Sequence, residues 1–305
     1  MNRNRLAVVA AVALSALALT ACGGSDALST DSGSSPAAAD TITVGSANFP
    51  ENILLAEIYA GALEAKGVKV SKKLNIGSRE VYLKALQDGS IDLLPEYNGY
   101  LLQYYDKNAG ASTPEQILAD LKTKLPATLT VLDQSTAEDT DGLVVTKATA
   151  DKYKLKSIAD LAPYAKNLTL GGPAEWKTRA TGVPGLKAKY GLTFKKFVTL
   201  DAGGPVTVKA LKNGRVDATN LFTTDPSITQ NGFVLLSDPN HVFLNANVVP
   251  VITKSKVTPT VSTALNAVSA KLTTETLTEL MQKVAIDKQD TATVAKEWLT
   301  TNGLA

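Results

Sequence analysis

KALQDGSID at residues 84–92 and KALKNGRVD at residues 209–217 are two copies of one pattern. Each reads as the end of a helix, a glycine that stops it (Gly89, Gly214) and the start of a strand carrying an aspartate (Asp92, Asp217). Glycine suits the left-handed position just past a helix end because it has no Cβ to clash. Each strand runs on into polar and aromatic residues, LLPEYNGYL after Asp92 and ATNLFTTDP after Asp217. In open α/β sheets the residues just beyond the strand ends face the ligand crevice. The repeat therefore predicts two α/β lobes facing a cleft, and it points to the loops that line it.

Outward from the first copy, Thr41–Ser46 alternates and is rich in β-branched residues, which predicts a strand. Residues 51–66 carry Ile53, Leu54, Ile58, Tyr59 and Leu63 at helical spacing, with Gly67 as the stop. Strands at 68–75 and 91–94 flank a helix at 80–87, and this alternation predicts a mostly parallel sheet. Thr113-Pro114-Glu115-Gln116 is a capping box with proline at the first helical position, so a helix should run to Lys124. QSTAEDTD at 134–141 is polar and suits a crossing between lobes. Around the second copy the same reading places strands at 168–171, 197–200, 216–221 and 233–236, with a returning strand at 247–253. The tail, 261–299, reads as two or three helices whose apolar residues pack onto the first lobe. The domain reading is thus lobe 1 at 41–136 plus 246–305 and lobe 2 at 137–245.

The N-terminus reads as a targeting segment. Arg3 and Arg5 precede an uncharged apolar run at 6–19, shorter than the roughly 20 residues of a membrane span. The run ends in Leu19-Thr20-Ala21-Cys22, which resembles a bacterial lipobox, and Cys22 is the only cysteine in the chain. Residues 1–21 are expected to be a lipoprotein signal peptide, Cys22 the lipidated residue, and the small polar stretch 22–40 a flexible tether. The expected location is the extracytoplasmic face of the cell membrane, held by a lipid anchor. A lone thiol excludes an internal disulfide and a multi-cysteine zinc site. The chain carries 31 basic and 29 acidic residues, and this balance gives no support to nucleic-acid binding.

No nucleophile elbow, Walker loop or dinucleotide turn is present, and the one histidine, His241, sits in a turn before a strand. No enzyme activity, cofactor or metal is expected. Aromatic and polar residues instead gather in the expected cleft loops: Asn48 and Phe49, Tyr97 and Tyr100, Trp176 and Arg179, and Phe222 through Asp225. Aromatic faces attract cations, and quaternary ammonium groups are their usual guests. An arginine opposite can hold a carboxylate with two parallel hydrogen bonds.

These segments resemble the substrate-binding lipoproteins of ABC importers for osmoprotectants such as glycine betaine, carnitine and choline. The resemblance is carried by GSANFPENILLAEIYAGALEAKG, ALQDGSIDLLPEYNGYLL, GPAEWKTRATGVPGLKAKYGL, ALKNGRVDATNLFTTDPSI and AKLTTETLTELMQKVAIDKQDTATVAKEWL, in the family's order over 41–305. It implies a periplasmic-binding-protein-like fold of type II, two α/β lobes joined by a two-crossover hinge, a solute captured between them, and delivery to a permease and ATPase complex. Tyr97 matches the cage tyrosine of the family's Pro-Glu-Tyr motif and Arg179 the arginine that binds the betaine carboxylate. Asn52 falls where the family often has a polar contact. Elsewhere the chain departs: Tyr100 replaces a usual threonine, Asp139-Thr140-Asp141 a common Asn-Thr-Tyr, and Val208 a tyrosine. The expected site is therefore a remodelled box of Tyr97, Tyr100, Phe222 and Trp176, with Asp141 facing a positive charge, Arg179 a negative one, and Asn48, Asn52 and Thr140 as polar contacts. It suits a quaternary-ammonium or related cationic or zwitterionic solute. A binding protein of the same fold for another small solute, such as an amino acid or polyamine, is the alternative.

Overall fold

The computed structural model describes residues 41–110 and 113–305. The expected leader, Cys22 and the tether lie outside them. The chain opens with β1 (Thr41–Gly45), α1 (Pro50–Glu64), β2 (Lys69–Lys73), α2 (Arg79–Gln87), β3 (Leu93–Tyr97), α3 (Asn98–Tyr105), α4 (Pro114–Lys124) and β4 (Leu129–Val131). It crosses over and forms β5 (Asp141–Thr146), α5 (Lys147–Tyr153), β6 (Thr169–Gly172), α6 (Val183–Tyr190), β7 (Lys196–Thr199), α7 (Pro205–Lys212), β8 (Ala218–Phe222), α8 (Ser227–Gln230) and β9 (Phe233–Leu235). It returns as β10 (Val248–Thr253) and ends in α9 (Pro259–Lys271), α10 (Thr274–Met281) and α11 (Thr291–Thr301). Helix starts follow their caps: the Thr113, Thr258, Thr273 and Asp290 side chains each accept the backbone N–H three residues on, in α4, α9, α10 and α11.

The lobes share one plan. The first sheet is ordered β2-β1-β3-β10-β4 and the second β7-β6-β8-β5-β9. As expected, the strands are mostly parallel, but each sheet contains one reversed strand, so both sheets are mixed. β10 runs antiparallel to β3 and β4, and β5 runs antiparallel to β8 and β9. The reason is that each reversed strand enters its lobe directly from the other lobe, so it starts at the cleft edge where its neighbours end. Val248 pairs with Tyr97 at the start of β10, and Asp141 with Phe222 at the start of β5. Apolar side chains bury both faces of each sheet. Helix α1 lies deepest: Leu54, Leu55, Ile58, Tyr59 and Leu63 are buried together with Val268, Leu277, Trp298 and Leu299 of the tail, so the tail does pack onto the first lobe.

The repeated aspartates have the same structural task. Asp92 donates its backbone N–H to the Thr43 carbonyl and accepts the Thr43 N–H on its carboxylate at 2.9 Å. Asp217 does the same with Thr169, at 2.8 Å for the carboxylate. Each carboxylate thus extends the pairing between two parallel strands where backbone register alone does not reach. Gly89 and Gly214, at φ 78° and 68°, make the left-handed turn that delivers the aspartate.

The two crossings lie side by side: Glu138 bridges Asn247 antiparallel, and Asp139 donates its backbone N–H to the Ala246 carbonyl. At their centre sits a buried pair of acids. Glu51, in the first turn of α1, accepts the Tyr97 hydroxyl at 2.7 Å on one oxygen and the Thr224 hydroxyl on the other. Asp139 accepts the Thr223 hydroxyl and the Thr224 N–H, both at 3.1 Å, and also bonds Glu51. Burial pushes both carboxyls above their ordinary range, and the like charge of Glu51 raises Asp139 further. Through the hydrogen bonds of these two acids, α1, the first crossing and the second lobe are joined.

Asp92→Ala and Asp217→Ala should each lower stability by about 1–2 kcal/mol in urea melts, because each leaves a strand N–H without its partner; no loss in either variant would contradict the shared role. The acid pair predicts a pH dependence. The folded chain holds a proton that an unfolded glutamate, with its ordinary value of 4.5, has released. Stability should thus fall as pH rises above that value, and Glu51→Gln should flatten the slope. Thermal melts across the acid-to-neutral range in which the two proteins change in parallel would refute this.

Candidate functional site

The cleft between the lobes holds about 580 Å³ of empty space. Its lobe 1 wall is the loop after β1, with Asn48 and Phe49, followed by Tyr97, Tyr100, Tyr82 and Arg79. Its lobe 2 wall carries Trp176, Arg179, Asn220 and Phe222, and the first crossing adds Asp139 and Asp141. The Pro-Glu-Tyr-Asn-Gly segment shapes the first wall. Strand β3 runs through Pro95 to Tyr97, further than the sequence suggested, and α3 begins at Asn98. A Cβ on Gly99 would lie 2.0 Å from the Asn245 carbonyl oxygen, so only glycine lets α3 start against the second crossing. Tyr97 consequently ends a strand and Tyr100 sits in the first turn of a helix, with both rings turned to the cleft.

Both phenols are tied by their hydroxyls. Tyr97 donates to Glu51, and the Tyr100 oxygen accepts the backbone N–H of Asp141 at 2.7 Å. Across the cleft the Phe49 and Phe222 rings meet with centroids 4.9 Å apart, and Tyr97 lies 6.0 Å from Phe49, distances typical of aromatic pairs. Trp176, in a short 3-10 turn, is buried and stacks on Phe243 at 5.9 Å.

The structure brings together Asn48, Tyr97, Tyr100, Asp141, Trp176, Arg179 and Phe222. Two expected contacts do not join them. Asn52 is fully buried below the wall: its carbonyl oxygen accepts the Ala47 N–H at 2.7 Å and its amide donates to the Pro95 carbonyl at 3.0 Å. It supplies the hydrogen bonds that β1 no longer offers to β3, since the register between those strands ends at Val44 and Leu93. Thr140 lies off the cleft, its N–H and carbonyl both bonded to Thr223. Polar and charged lining residues not singled out from sequence as contacts include Ser78, Arg79, Tyr82, Asp139, Glu175 and Asn220. For Asn220 a signal existed, because it stands two residues before Phe222 and strand alternation places both on one face.

Charges in the cleft are arranged unevenly. Arg79 grips Glu96 through two bonds of 2.8 Å, and Glu96 also accepts the Tyr82 hydroxyl and the Tyr97 N–H. The Arg79 guanidinium lies 5.8 Å from the Tyr100 ring centre, so a resident cation already occupies one face of that ring. Arg179 reaches across the cleft to Glu80 with bonds of 3.0 and 2.8 Å. Burial works to raise the Glu80 carboxyl, but the bonds from Arg179 and Ser78 outweigh it and hold the group at about 2. Asp141 has no ion-pair partner within 4.0 Å among the described residues, and its carboxylate accepts the Asn220 amide at 2.8 Å. Burial raises it, against the charge of Arg179, the Asn220 bond, the charge of Arg79 and a side-chain bond from Trp176. The cleft can thus enclose a small solute in aromatic walls with one buried acid left to meet a cation.

The family model described as the substrate binding domain of an ABC-type glycine betaine transport system matches residues 40–301. Glycine betaine-binding protein YehZ of Escherichia coli strain K12 is 31% identical over 280 residues, covering 87% of this chain and 92% of that protein. Carnitine transport binding protein OpuCC of Listeria monocytogenes is 27% identical over 270 residues, covering 86% and 87%. Among solved structures, a glycine betaine/carnitine/choline ABC transporter protein superposes with a TM-score of 0.67 at 24% identity, over 86% of this chain and 99% of that one. Apo YehZ superposes with a TM-score of 0.61 at 30% identity, over 87% and 99%. The two mixed-sheet lobes are those of the type II periplasmic-binding-protein-like fold. The chain belongs to the family of substrate-binding domains of ABC-type glycine betaine transport systems.

Proposed function

We propose that this chain is the extracytoplasmic receptor of an ABC importer and captures a quaternary-ammonium or related cationic or zwitterionic solute between its lobes. The observation that carries the reading is the aromatic cleft of Phe49, Tyr97, Tyr100, Trp176 and Phe222 around Asp141, an acid with no ion-pair partner among the described residues. The relatives' names, which speak of glycine betaine and carnitine, favour the same class of solute. The solute's positive end lies against the rings and Asp141. A carboxylate, where the solute has one, competes with Glu80 for the Arg179 guanidinium, whose fork suits either acid. The receptor performs no chemistry: it encloses the solute and presents it to a permease whose partner ATPase drives transport. Cys22 carries the lipid anchor, and residues 22–40 let the two lobes stand off the membrane.

Titration calorimetry with glycine betaine, choline, carnitine, proline betaine and ergothioneine should give heat with at least one of them. Silence from all five would refute the quaternary-ammonium reading. Tyr97→Leu should weaken the bound member about tenfold or more, whereas Tyr97→Phe, which keeps the ring and loses only the Glu51 bond, should stay within about threefold. Equal losses in the two variants would remove the ring from the site. For the anchor, cells expressing the full chain should incorporate labelled palmitate into it, and Cys22→Ser should abolish the label.

A further inference from the structure

The polar corner of the cleft contains an acceptor that no group among the described residues meets. Asn220 is 1% exposed and lines the cleft. Its amide nitrogen donates to Asp141 at 2.8 Å, which orients the side chain, yet its carbonyl oxygen Oδ1 is buried without a hydrogen-bond partner among the described residues. Next to it, the Asp141 carboxylate has no cation within ion-pair distance. Arg79 and Arg179 act on it through space, but each turns its fork to a glutamate. The backbone around the corner is fully engaged, since the Asp141 N–H is held by the Tyr100 hydroxyl oxygen. Asn220 and Asp141 thus form a pair of adjacent acceptors, one neutral and one acidic, set beside aromatic walls.

We propose that Asp141 and Asn220 make this receptor selective for a cation that carries N–H donors, such as a protonated amine, over its fully methylated counterpart. This rests on the capture of a cationic or zwitterionic solute proposed above. An aromatic box alone prefers a cation that is weakly hydrated, and a trimethylammonium group is ideal for it. Such a group has no N–H. Seated here, it would satisfy the charge of Asp141 and leave the Asn220 oxygen buried and unpaired, a penalty that a polar site imposes on any analogue lacking the matching donor. A protonated amine directs an N–H to the Asn220 oxygen with its charge against Asp141, and a second N–H, where it has one, to the Asp141 carboxylate, while its methyl or methylene groups lie on the rings of Phe49, Tyr97 and Phe222. Glu51 does not compete for it, because its two oxygens are taken by Tyr97 and Thr224, whereas Asp139 accepts Thr223 and Thr224 on one oxygen only.

The test uses matched solutes that differ only in methylation: sarcosine, N,N-dimethylglycine and glycine betaine, and N,N-dimethylethanolamine with choline. In titrations of the unmodified protein at neutral pH, where the amines are protonated, the N–H-bearing members should bind about tenfold or more tighter than the fully methylated ones. Asn220→Ala, verified as folded by its thermal melt, should collapse that ratio towards one. Glycine betaine and choline binding as tightly as, or more tightly than, their demethylated partners would overturn this selectivity and leave the solute class intact. Absence of heat from all five would overturn the solute class together with the selectivity. The ratio in the unmodified protein decides the matter by itself should Asn220→Ala fail to fold.

Discussion

Two carboxyl groups that cannot both be charged lie at the centre of this molecule. Glu51 comes from the first helix and Asp139 from the first crossing, and Thr223 and Thr224 of the second lobe close around them. In a desolvated place two adjacent carboxylates repel, and burial holds both groups above the ordinary carboxyl range. The pair is also why Tyr97 stands where it does, since its hydroxyl ends on Glu51. Moving the second lobe away would expose or strand these oxygens. The arrangement of the lobes and the placement of the first cleft aromatic are therefore one interaction seen from two sides.

Around that centre the cleft assigns its charges with economy. Each arginine is paired with a glutamate, Arg79 with the buried Glu96 and Arg179 with the half-exposed Glu80, and the two pairs differ in kind. The first is enclosed and has every oxygen of Glu96 satisfied, so it serves as fixed framework behind Tyr82, Tyr97 and Tyr100. The second spans the mouth, is open to water, and joins the lobes through an exchangeable contact whose net contribution in solvent is small. An arginine engaged in this way is available to a solute carboxylate without being left unpaired when the site is empty. Among the other polar groups lining the cleft, Asp141 and Asn220 form an adjacent buried pair, with an acceptor of Asn220 unmet among the described residues.

Much of the frame was legible in the chain. The doubled helix–glycine–strand–aspartate pattern marked two equivalent positions, and β3 and β8 do occupy the same place in two sheets of the same order. Caps such as Thr113 with Gln116 located helix starts because they act over three residues. The sheets' mixed direction was not legible, because local alternation of strands and helices says nothing of a strand that arrives from another lobe. The role of Asp92 and Asp217 was equally hidden: each bonds a backbone group nearly fifty residues away. Asn52 is the sharpest case. A polar residue beside a ligand loop reads as a contact, but here it replaces backbone pairing that β1 withdraws from Pro95.

The sequence by itself determined that two α/β lobes enclose a cleft, that aromatic residues follow the strand ends, and which family the chain resembles. These depend on periodicity, turn chemistry and short motifs, all of them local. Only the tertiary structure decided which polar groups are already satisfied and which are left for a solute. Arg79, Arg179, Glu51 and Asp139 look equally available as letters, and each is engaged by a partner at least 17 residues away, whereas the Asn220 oxygen is not engaged at all. Hydrogen-bond satisfaction is a property of neighbours in space, and the neighbours that matter here come from opposite lobes.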